Sequence, residues 1–353
     1  MFAFLTDKLD SLDASIAERT FERLQPRYTV PGRSFVRKGW QAAQATYDDM
    51  LTLLDTNFAE AASSVYACNP DSKRSMDSAL GAIALLVHCY PSQLAELDVG
   101  RAFSRSQPVV LRVLGGKGPS AGAGTTGVVL AWLWALVLPA QAESVHLEQE
   151  LLVPIIQHLV PLSSLSPAPS TRFIAFRLLS FLLGLLPPLS TLSLLRSFLA
   201  PECPFPQMRV AAVGLVKEHV LAALRSPVAS PFSTPLLMQT LGPVLLRPQP
   251  ADLFSPPAAP TLAEFVDSSE PARLVECMSL LYVLLQVDTQ NRTAARDALP
   301  ELTVRVLTPL RALLTLWQPQ MERDDEVSMA LSGLVISLER FDALSISIPM
   351  PIS

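Results

Sequence analysis

Charge is scarce in this sequence. Of 353 residues only 17% are Asp, Glu, Lys or Arg, against about 25% in an average soluble chain. Apolar residues make up 50%, so little surface is left to be solvated by charge. A net charge of −5 and a pI near 5.5 exclude the basic footprint that nucleic-acid binding requires. Cysteine is equally thin. Cys68, Cys89, Cys203 and Cys277 are scattered, with no C-x-x-C pair, so neither a disulfide framework nor a zinc site is expected. With no secretory signal in view, they read as reduced thiols of the cytosol or nucleus, and the Asn291-Arg-Thr sequon then has no use.

The other catalytic signatures are missing too. His88, His146, His158 and His219 contain no i,i+4 pair and no H-E-x-x-H, so they draw no zinc face. No G-x-S-x-G elbow is present to carry a nucleophilic serine. Gly115-Gly116-Lys117-Gly118 invites comparison with a phosphate loop, but the lysine precedes the Gly/Ser/Thr run instead of closing it. A P-loop needs G-x-x-x-x-G-K-[ST], so a plain loop is expected. Convincing period-two alternation is absent as well.

What the chain does have is proline, 31 residues against 14 glycines, set between long apolar runs. Proline fixes φ and removes a donor, so many short helices with sharp stops are expected. Apolar residues at helical spacing mark helices over 2–24, 36–64 and from Leu80 to Tyr90, the last stopped by Pro91. Further helices are expected near 145–162, 170–186, 300–317 and 323–343. The run Gly127–Leu138 is apolar throughout but ends at Pro139, short of the ~20 residues a membrane span needs. Phe173–Leu199 is longer, yet carries Arg177 and Arg196 and is broken by Pro187-Pro188. A buried core helix accounts for both, and no membrane partner is expected.

The fold class is therefore all-α: a HEAT/armadillo-like solenoid of antiparallel helix pairs, with an irregular helical bundle as the alternative. The chain divides as N-terminal repeats 1–112, a Gly/Ser/Thr loop 113–127, apolar central repeats 128–226, a Pro-rich loop 227–262 with one short helix Leu236–Leu246, C-terminal repeats 263–345 and a tail 346–353. The Pro-rich loop is the expected hinge or mobile insertion.

Two groups stand out as candidate sites. Cys203 lies just before a helix N-terminus, where the dipole favours a thiolate; a small residue filling a turn is the plainer reading. Glu322, Asp324, Asp325 and Glu326 crowd the start of the last helix, where carboxylates suit the dipole. They also form a candidate docking patch for a basic partner.

The wording CPFPQMRVAAVGLVKEHVLAA from Cys203 resembles the Yap-binding/aberrant lateral root/glomulin family. Cys203, Pro204, Phe205, Pro206, Met208, Arg209, Gly214, Leu215, Lys217 and Glu218 carry that resemblance over about fifty residues, and helix texture extends it from about 70 to 345. The resemblance implies an elongated helical-repeat protein with no catalytic residues and no cofactor, whose partner is a protein. Fungal members bind an AP-1-like transcription factor and promote its activation by peroxide, and a relative acts at kinetochores. The animal branch binds the RING subunit of cullin ubiquitin ligases through C-terminal repeats. This chain is shorter than is usual in the family, with N-terminal repeats reduced. Its proline-rich style points to the fungal, stress-response branch, working in the cytoplasm and also the nucleus.

Overall fold

Proline stops these helices at Pro91 and at Pro187-Pro188, where the sequence suggests, but not at Pro139. The computed structural model describes residues 15–28, 45, 48–49, 52, 57–94, 96–116, 123–143, 145–254 and 259–347, and every regular element among them is helical. Much of the expected helices 2–24 and 36–64, and Lys117 to Gly122 of the glycine-rich loop, lie outside the described residues. The chain forms two compact units, Met1–Pro187 and Pro188–Ser353.

The first unit contains α1 (Ile16–Leu24), α2 (Phe58–Tyr66), α3 (Lys73–Cys89), the single turn α4 (Pro91–Leu94), α5 (Val99–Leu114), α6 (Ala123–Ala142), α7 (Gln149–Leu165) and α8 (Pro169–Leu185). Local chemistry sets the starts. Ser15, Asn57, Ser72 and Asp98 each turn a side-chain oxygen onto a first-turn N–H, satisfying a donor that the helix itself leaves open. Pro169 opens α8, where its missing N–H costs nothing.

The α6 boundary corrects the sequence reading. The helix continues through Pro139 to Ala142. Proline there removes the N–H that would reach the Ala135 carbonyl and crowds that carbonyl; burial of the apolar helix against its neighbours offsets the loss. The result is the one helix among the described residues long and apolar enough to cross a membrane by length and composition, with 67% of its apolar window buried inside the protein. It packs against α1, α3, α4, α5 and α8, which is why it has no polar face. Trp132 and Trp134 are wholly buried in it. The Trp132 indole N–H donates to Ser106 Oγ at 2.9 Å, and Ser106 in turn donates to the Ala102 carbonyl at 2.7 Å.

The packing order is that of a stacked repeat. Helices α2 and α3, α5 and α6, and α7 and α8 form pairs; α2–α5–α7 make one layer and α3–α6–α8 the other. Helix α1 belongs to neither layer. It lies on the second, touching α6 along its length and α3 and α8 on either side.

The second unit repeats the theme with α9 (Pro188–Leu199), α10 (Pro206–Arg225), α11 (Leu236–Leu245), α12 (Leu262–Asp267), α13 (Glu270–Val287), α14 (Leu299–Leu302), α15 (Thr308–Met321) and α16 (Asp325–Ser347). Helices α10, α13 and α16 follow one another as a layer, while α9 packs on α10 and α11. A π-helical turn, Thr303–Leu307, joins α14 to α15. The sequon loop is closed from within. Thr293 is buried, and its hydroxyl and N–H both donate to the Asp288 carboxylate at 2.7 and 2.8 Å.

Two histidines make the fold sensitive to acid. Burial pushes the His88 imidazole down to about 3, and Arg19 and Arg23 push it the same way. Burial lowers His219 as well, against a weaker opposing pull from Glu218; its ring stacks on Phe232 at 5.1 Å. Both folded values lie below the ordinary ~6.5 of an unfolded histidine. Between about 3 and 6.5 the unfolded chain therefore binds a proton that folded His88 refuses, and stability falls as pH falls through that window. Urea midpoints from pH 7 to pH 4.5 should decline steadily. His88→Leu should remove up to about 1.4 kcal/mol of that loss per pH unit.

Candidate functional site

The residues that carry the family-like wording form a turn and the first three turns of α10. After α9 ends, the Cys203 N–H donates to the Ala200 carbonyl at 3.0 Å and its thiol to the Phe205 carbonyl at 3.9 Å. Pro206 opens α10, and the N–H groups of Met208 and Arg209 donate to Phe205 at 3.0 and 3.1 Å. Cys203 is only 9% exposed, and Met208 and Leu215 are buried. The motif thus builds a tight corner between paired helices, with Cys203 facing inward.

Its charged residues reach outward to the next repeat. Lys217 Nζ donates to Ser279 Oγ on α13 at 3.2 Å, while Glu218 is exposed. Arg209 Nη1 donates to Gln249 Oε1 at 3.0 Å. Gln249 is the centre of a buried network in the Pro-rich loop. Its amide side chain donates to the Leu199 carbonyl at 3.0 Å, and its backbone N–H to Glu270 Oε1 at 2.9 Å. Glu270 grips Arg273 with two bonds of 2.6 and 2.7 Å. Arg273, 1% exposed, then donates to the carbonyls of Arg247 at 2.7 Å and Val244 at 3.2 Å, the open end of α11. One polar chain therefore ties α9, α10, α11 and α13 through the loop. Sequence reasoning singled out Arg209 but not Gln249, Glu270 or Arg273. The available signal was an arginine inside an apolar helix run with a carboxylate three residues before it.

The acidic group lies on a different repeat. Asp324 caps α16, accepting from the N–H groups of Glu326 at 3.0 Å and Val327 at 3.3 Å. Glu322 accepts from Gln318 at 3.0 Å, and all four carboxylates of the group are exposed. Beyond them Leu316, Met329 and Ile336 are 68%, 76% and 48% exposed. This surface belongs to α15, α16 and the turn between them, whereas the Cys203 corner joins α9 to α10. No cluster of metal-ligating side chains occurs among the described residues.

Thiol accessibility separates the cysteines. Burial pushes Cys277 up to about 11 and Cys89 up to about 12, and raises Cys68 less. Cys68 and Cys89 are partly exposed, whereas Cys203 and Cys277 are buried. Since the thiolate is the nucleophile and needs access, alkylation of the native protein should label Cys68 first. Cys203 and Cys277 should react only on unfolding, as read by mass spectrometry of timed quenches. Labelling of Cys203 as fast as Cys68 would restore it as an oxidant-sensing position.

A family model described as an uncharacterised family, YAP/Alf4/glomulin, matches residues 120–346, more than half of the chain. No curated protein sequence matches it.

Proposed function

The chain belongs to the YAP/Alf4/glomulin family, and from that premise we propose that it is a non-enzymatic helical-repeat adaptor for an AP-1-like transcription factor in the oxidative-stress response. What carries the reading is the use made of the motif. Arg209 and Lys217 go into joining one repeat to the next. A protein that spends its charged residues on holding stacked helices in register acts by shape, offering a long surface to a partner helix or small domain. In this reading the peroxide-sensing thiols are the partner's and this chain is the platform, acting in the cytoplasm and nucleus; the burial of Cys203 and Cys277 supports that division of labour.

A second reading, regulation of a cullin–RING ligase through its RING subunit, is favoured by one observation: the exposed apolar side chains Leu316, Met329 and Ile336 on the last two helices. Affinity purification from the source cells, with and without a brief peroxide pulse, tests the two. Recovery of a bZIP factor enhanced by peroxide is the expected result. Recovery of a cullin with its RING subunit, indifferent to peroxide, would transfer the protein to the second reading.

A further inference from the structure

Helix α1 fills a groove that the repeats would otherwise leave open. It is nine residues long, shorter than the ~12–15 that an isolated helix needs in water, so the groove and not its own propensity holds it. Ile16, Ala17, Thr20 and Phe21 form its buried apolar face, and Glu18 is buried with them. Phe21 is the anchor, wholly buried, with its ring edge-on to Trp134 at 5.0 Å and to Phe173 at 5.6 Å. Behind it, Arg177 of α8 lies over the Tyr28 ring at 4.4 Å and hydrogen-bonds its hydroxyl.

Two observations set α1 apart from the fold that it covers. It joins neither layer of helix pairs, and residues 29–57 run between Tyr28 and α2. The fit is also incomplete. A cleft of about 390 Å³ lined by Arg23, Leu24, Leu94 and Leu138 opens at one side of α1, and another of about 350 Å³ borders Arg19, Glu22 and His88. The buried Trp134 indole N–H has no acceptor among the described residues.

We infer that the groove formed by α3, α6 and α8 is a helix-binding site which α1 occupies as an exchangeable ligand in cis. Its ligand in trans is an amphipathic helix from a partner, with an aromatic residue in the place of Phe21 and a small and a branched apolar residue in the places of Ala17 and Ile16. A tethered ligand has a high effective concentration, so α1 keeps the site closed until a better-fitting helix arrives. An occupant bringing an acceptor to the Trp134 N–H would fit better, because that donor is now unsatisfied. The inference stands whichever partner the preceding reading selects.

The test uses the full chain with a protease cleavage site replacing residues 36–41. After cleavage, the N-terminal fragment should leave on dilution through the micromolar range while the rest keeps its helical circular dichroism. A labelled peptide of residues 12–28 should rebind with a micromolar Kd, and its Phe21→Ala form at least thirty-fold more weakly. Retention of the fragment to nanomolar concentration, with release only on unfolding, would overturn the inference. So would failure of the opened, folded protein to take up the peptide. Dimerisation of the intact chain that the peptide dissolves would replace the partner by a second copy. Should the opened protein aggregate, amide exchange on the uncut chain decides. Exchange in α1 at least a hundred-fold faster than in α6 and α8 supports exchangeability, and equal rates refute it.

Discussion

Arg273→Ala should destabilise the second unit by about 3–5 kcal/mol, because it strands the buried Glu270 carboxylate without its counter-charge. Removing both charges should not be neutral here. A Glu270→Leu, Arg273→Met pair leaves the carbonyls of Val244 and Arg247 and the N–H of Gln249 without their partners. Each buried group left unsatisfied costs about 1–3 kcal/mol. The double variant should therefore recover part of the single variant's loss and stop short of the natural stability. Urea unfolding followed by circular dichroism measures both. Full recovery would mean that the network's other members find water, and that Gln249 does not fasten the loop.

Trp134→Ala should cost about 3–5 kcal/mol in the first unit, the range for deleting a large buried aromatic. It also removes the ring on which Phe21 rests, so α1 should be released before the unit unfolds. The two tryptophans should separate under the milder change to phenylalanine. Trp132→Phe deletes the hydrogen bond to Ser106, whereas Trp134→Phe deletes an N–H that has no acceptor among the described residues. The volume lost is the same. Trp132→Phe should therefore be the more destabilising by about 2–4 kcal/mol, about 1 for the lost hydrogen bond and about 1–3 for the penalty that Trp134→Phe relieves. Equal effects would show that the Trp134 donor is satisfied in solution.

The all-α class was legible because its signal is local: apolar residues recurring at spacings of three and four. The short helix in the Pro-rich loop was legible for the same reason, expected at Leu236–Leu246 and found at Leu236–Leu245. Helix ends governed by proline were legible only in part: the helix before Pro91 ends as expected, at Cys89. Pro139 in the sequence says that an N–H is missing, but not that packing against neighbouring helices carries the helix one turn past it. The family-like wording around Cys203 was also readable, and the family match supports it. Its physical use was hidden, because Arg209 meets Gln249 forty residues away and Lys217 meets Ser279 further still. The burial of Arg273 was hidden too, since it depends on carbonyls at the end of another helix. Helix α1 shows the same limit. Its amphipathic pattern announces a buried face but not the groove of α3, α6 and α8 that receives it.

The most direct test of the adaptor reading is a parallel binding titration of the purified full chain. One arm uses a recombinant AP-1-like bZIP factor, reduced and peroxide-treated, and the other a cullin RING subunit. The account predicts saturable binding of the bZIP factor in the micromolar range or tighter, changed by oxidation of the factor and unchanged when Cys203 is replaced by serine. Binding of the RING subunit alone, with neither form of the factor bound, would contradict it.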